Sequence, residues 1–188
     1  MTARVLVAGI GNLFLGDDGF GPEVVRRLLA GGQPPAGVRV VDYGIRGMHL
    51  AYDLLDGWDT LILVDAVPAR RSGWSRASRP GEVLVLEVGP DDLEPGAFDA
   101  HGMQPVALLG SLTAMGGTLP PTFVVGCRVE SVHEGIGLSP SVSAAVPTAI
   151  DTVLALLDRI ARKEPSAAPS AGPPAGPLAE PLVEPGRP

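Results

Sequence analysis

Short apolar runs alternate with helical repeats along most of the chain. Val5-Leu6-Val7-Ala8 is an apolar run closed by Gly9 and Gly11, the pattern of a buried parallel strand. Phe20, Val24, Val25, Leu28 and Leu29 then recur at helical spacing, with Glu23, Arg26 and Arg27 on the opposite face. Gly31-Gly32 stops that helix. Val38 to Tyr43 reads as a second strand and Met48 to Leu55 as a short helix. Leu61-Ile62-Leu63-Val64 is a third strand that ends at Asp65. Ser72 to Pro80 has no periodicity and reads as a loop, followed by a strand over Val83 to Val88. A helix near Pro105 to Ala114 and a strand over Thr122 to Cys127 come next. Ser139-Pro140 starts a last helix, since Ser caps well and Pro suits the first turn. Val142, Val146, Ile150, Val153, Leu154, Leu157 and Ile160 carry that helix, with Pro147 expected to kink it.

This order predicts an α/β fold: a mostly parallel sheet of about five strands with helices on both faces. The long loop before Val83 points to an antiparallel strand there. In open sheets of this kind, sites form outside the carboxyl ends of the strands. The composition breaks after Lys163. From Pro165 to Pro188, 24 residues hold eight Pro, five Ala and three Gly, too few groups to bury and a stiffened backbone. The expected division is therefore a folded domain over residues 1–163 and an extended Pro/Ala-rich tail over 164–188.

Composition narrows the function. Hydrophobic residues make up 45%, enough for a core, and the net charge is −7. Nucleic-acid binding depends on clustered Lys and Arg, so no nucleic-acid partner is expected. One cysteine, Cys127, allows neither an internal disulfide nor a thiolate metal cage. No uninterrupted apolar run approaches the ~20 residues that span a bilayer, and nothing reads as a signal peptide. A soluble, cytoplasmic protein without a membrane partner is the expectation, and a monomer.

The first strand empties into Gly9-Ile10-Gly11-Asn12-Leu13-Phe14-Leu15-Gly16-Asp17-Asp18-Gly19. Phe14 stands where a dinucleotide fingerprint needs glycine, and no Gly-Lys-Ser/Thr follows for a P-loop. What remains is a glycine-dense turn carrying two adjacent carboxylates before a helix. One suffices to cap that helix, a role that suits Asp17 and leaves Asp18 as the functional candidate. Asp65 is projected from the carboxyl edge beside the first strand. Of the three histidines, His49 suits a structural place on its helix. His133-Glu134 lacks the second histidine of a metalloprotease helix, because position 137 is Gly137. His101 precedes a helix, where its imidazole can be exposed. Gly137-Leu138-Ser139-Pro140-Ser141 is not a nucleophile elbow, and Cys127 suits a buried thiol. Two carboxylates and an imidazole on one edge could bind zinc or nickel, weakly in the absence of thiolates. An open, weak site suits an ion that arrives attached to something else.

Gly9-Ile10-Gly11-Asn12 with Asp17-Asp18-Gly19-Phe20-Gly21, then Leu63-Val64-Asp65-Ala66, His101-Gly102-Met103 and Gly137-Leu138-Ser139 resembles the hydrogenase maturation proteases. The resemblance runs from about Val5 to Ile160. It implies a twisted α/β sheet between helices, phosphorylase/hydrolase-like. It also implies an endopeptidase that trims the carboxy-terminal extension of a nickel-iron hydrogenase large-subunit precursor after nickel insertion. The nickel belongs to that partner. The family positions that recognise it, and on which cleavage depends, carry over as Asp18, Asp65 and His101. Asp42-Tyr43-Gly44-Ile45-Arg46-Gly47 departs from the Asp-Gly-Gly-Thr of many members, which bears on substrate subtype. Arg46 there would contact acidic groups of the precursor or form an exposed salt bridge. Two other readings stay open: a metal-dependent hydrolase of a small amide or peptide holding its own ion, and a non-catalytic chaperone for the nickel-loaded precursor.

Overall fold

The computed structural model describes residues 3–68, 79–88, 112–129 and 132–162. β1 (Val5–Ile10) is buried along its whole length, as a continuous apolar run in a central strand requires. It pairs in parallel with β2 (Val38–Gly44) on one side and with β3 (Thr60–Pro68) on the other. β3 continues in parallel with β5 (Thr122–Val129), and β4 (Val83–Val88) closes the edge antiparallel to β5. The sheet order is β2-β1-β3-β5-β4, so the expected α/β sheet is mostly parallel with the Val83 strand reversed.

Strand alternation sends residues to two cores. Val5, Val7, Ile62, Val64, Val125 and Cys127 meet α1 (Phe20–Ala30) and α3 (Pro140–Ala161) on one face. Leu6, Ala8, Leu61, Leu63 and Val124 meet Leu50, Ala51 and Leu54 of α2 (Gly47–Leu54), together with Leu112 and Leu119, on the other. Each buried aliphatic side chain contributes about 1.5–3 kcal/mol, and it is this two-sided burial that holds the strand ends in place.

One element differs from the sequence reading. β3 does not end at Asp65; it runs on to Pro68, because the ladder to β5 continues through Asp65↔Gly126 and Val67↔Arg128. Asp65 is thus a buried strand residue, 7% exposed, rather than a turn former. α3 runs unbroken through Pro147. Pro147 faces solvent, so the carbonyl that loses its helical partner there lies on the wet side of the helix. By length and mean hydropathy (1.4) α3 resembles a membrane span, yet Val142, Val146, Val153 and Leu157 lie in the core against the sheet. It is a core helix. The expected tail over 164–188 and most of the expected Pro105 to Ala114 helix lie outside the described residues.

Candidate functional site

Four parallel strands deliver their carboxyl ends to one edge of the sheet, and the loops after β1, β2 and β5 rise there. The chain leaving β1 turns sharply at Gly11, whose φ is +133° and where a Cβ would collide with the Asp18 carbonyl. It then enters a 3₁₀ turn, Gly16–Gly19, that leads directly into α1. Gly21, in the first turn of α1, lies against the Ile10 and Val64 carbonyls, and a side chain there would displace the helix. This close packing brings the Asp17-Asp18 turn onto the ends of β1 and β3.

The two adjacent acids do different work. Neither forms a side-chain cap on the 3₁₀ turn or on α1, contrary to the local capping expected for Asp17. Asp17 instead reaches across the fold. Its Oδ1 accepts the Ser139 N–H at 2.6 Å and its Oδ2 the Ser139 hydroxyl at 2.9 Å. Ser139 is the N-cap residue of α3, so its hydroxyl joins two loops rather than capping its own helix. Asp18 turns towards the β1 loop, where its Oδ2 accepts the Asn12 N–H at 2.7 Å. A carboxylate has about four lone-pair sites, so one such bond orients Asp18 without exhausting it.

Asp65 lies on β3 beside β1, close to the level of the Asp18 turn, and that turn packs against β3. Asp18 and Asp65 therefore share one rim. His101 lies outside the described residues. Among the described residues no cluster of three His, Cys, Asp or Glu side chains could hold a metal ion. A further carboxylate stands on this rim, one the sequence reading passed over. Asp42 pairs with Gly9 at the carboxyl end of β2, and its Oδ1 is buried with no hydrogen-bond partner. The signal was present, since Asp42 closes an apolar strand just as Asp65 was expected to. Among the described residues Arg46 forms no salt bridge. Its Nε and Nη2 donate to the Tyr43 and Asp42 carbonyls at 3.1 and 2.5 Å, which stiffens the turn after β2.

The remaining candidates fall away. Cys127 is fully buried, and burial, reinforced by the nearby Asp17 carboxylate, pushes its thiol up to about 12, far from a nucleophile's range. His49 faces solvent on α2.

A layered α/β enzyme with carboxylates gathered at the carboxyl edge of its sheet is the class that this architecture defines. The hydrogenase maturation protease family model HycI matches residues 22–156. The hydrogenase 2 maturation protease of Escherichia coli (strain K12) is 31% identical over 158 residues, spanning 82% of this chain and 90% of that protein. Among solved structures, the hydrogenase maturating endopeptidase HybD from E. coli superposes with a TM-score of 0.67 at 29% identity, covering 84% of this chain and 93% of the other. The [NiFe] hydrogenase maturation protease HybD from Thermococcus kodakarensis gives 0.63 at 25% identity, covering 82% and 99%. This chain belongs to the hydrogenase maturation protease family, a family of peptidases.

Proposed function

We propose that this protein removes the carboxy-terminal extension of a nickel-iron hydrogenase large-subunit precursor once nickel has been inserted, and that it reads the nickel through Asp18, Asp65 and His101. What supports this most is that the turn carrying Asp18 packs against β3, the strand that carries Asp65, although 47 positions separate the two acids in the chain. Carboxylate and imidazole ligands suit nickel, and without thiolates they hold it loosely enough for the ion to leave with the product. The ion is part of the substrate. Docked against the rim, it polarises the scissile carbonyl or activates water, and a carboxylate takes the proton. The protein works as a monomer in the cytoplasm, on a partner that is itself a protein.

The test is substitution of the two described ligands. Asp18→Asn and Asp65→Asn each remove a charge at nearly constant shape, so circular dichroism should be unchanged while processing of nickel-loaded precursor falls by about a hundredfold or more. Undiminished cleavage by Asp18→Asn would overturn the assignment. Metal analysis of the purified protein is the companion measurement, and tightly retained, stoichiometric zinc would favour a hydrolase that owns its ion.

A further inference from the structure

Large apolar side chains are exposed on the two loops that flank the Asp18 turn: Leu13 (51%), Phe14 (69%), Val132 (38%) and Ile136 (84%). Single exposed apolar residues are ordinary, but a contiguous group marks a contact surface. These loops are not loose. The Gly16 N–H donates to the Gly135 carbonyl and the Gly135 N–H to the Phe14 carbonyl, both at 2.9 Å, while Asp17 ties the same turn to Ser139. The apolar side chains are thus held outward on a fixed frame, which lowers the entropic cost of binding.

Between the loops lies a half-open cleft of about 270 Å³, walled by Leu13, Ile136 and Leu138 and widened by Gly16 and Gly19. That is below the roughly 300–1,000 Å³ of small-molecule pockets, so it suits one side chain rather than a metabolite. Charge decides which kind. Glu23 and Arg27 close one end, but they pair with each other at 2.7 Å and Arg26 holds Glu23 at 2.8 Å, so a charged occupant finds no free counter-charge. Asp18 and Asp42 stand at the adjoining carboxyl edge of the sheet, and Asp17 and Glu134 line the neighbouring pocket that Ile136 shares, so the surroundings carry acidic groups. The complementary partner carries an apolar side chain next to a cationic centre.

We propose that the Leu13–Ile136 cleft seats an apolar side chain of the hydrogenase precursor, docking an extended segment of it beside its metal centre. This rests on the endopeptidase reading above, and it adds a site that sets affinity rather than chemistry. The experiment measures cleavage and binding of purified nickel-loaded precursor with wild type, Leu13→Ser, Ile136→Ser and Ile136→Leu. Both residues are exposed, so the folded state should be retained, as checked by circular dichroism. The two Ser variants should raise KM and weaken binding by about tenfold with kcat kept, and Ile136→Leu should restore wild-type values. Unchanged KM and affinity in both Ser variants would overturn the docking site, as would a loss confined to kcat. If wild type binds the precursor without cutting it, the endopeptidase reading fails, while the binding contrast still decides the docking site.

Discussion

Asp17 and Asp18 are neighbours in the chain with separate tasks, and their substitutions should separate cleanly. Asp17→Ala leaves the Ser139 N–H and hydroxyl without their acceptor, and should cost about 1–3 kcal/mol in urea denaturation. Asp18→Asn should stay within about 0.5 kcal/mol of wild type in the same assay, because its effect belongs to the reaction. Cys127 offers another check. Burial raises its thiol from 9.0 to about 12, so the folded state keeps its proton where the unfolded chain loses it. Its stabilising share is complete below pH 9 and shrinks as pH rises above that value. The native thiol should stay unlabelled by a disulfide reagent at pH 8, whereas fast labelling without unfolding would contradict its burial. At this scale the sequence separated Asp18 from Asp17 but misassigned the helix that Asp17 serves. The partner, Ser139, lies 122 positions away, and local spacing carries no information about such a contact.

Among the elements, local pattern suffices where a strand or helix is bounded by its own sequence. β1 and β4 were legible to within a residue or two because each is an apolar run bounded by glycine or loop residues. β3 was cut short at Asp65, since a carboxylate after four aliphatic residues looks like an exit; only pairing with β5 carries the strand further. In α1, the i,i+3 and i,i+4 pairs of Glu23 with Arg26 and Arg27 were visible as a polar face. The hydrogen bond from Arg26 leads in holding the Glu23 carboxyl at about 2, below its ordinary 4.5. Its contribution to stability is therefore present above pH 4.5 and lost as pH falls towards 2. Glu23→Gln should remove that part of the acid-induced loss, and a wild-type acid transition identical to the variant's would count against the pairing. The close seat of α1 predicts a larger effect. Gly21→Ala drives a methyl group into the Ile10 and Val64 carbonyls, and thermal unfolding should fall by several degrees or more.

For the whole molecule, the topology matters more than any single residue. A β1–β3 adjacency sets the turn that carries Asp18 against β3, and the βαβ order already implies that adjacency. The apolar side chains around that rim were in plain view in the sequence, but their exposure was not. Leu13, Phe14 and Ile136 have the composition of core residues, and only the fold shows that the core is already filled without them. The central claim is that this rim acts on a protein that arrives with its nickel in place. The direct measurement is the mass of a hydrogenase large-subunit precursor after incubation with the enzyme, in nickel-loaded and nickel-free forms. The account predicts that the loaded precursor loses its carboxy-terminal extension and the empty one stays intact. Equal shortening of both, or of neither, would contradict it.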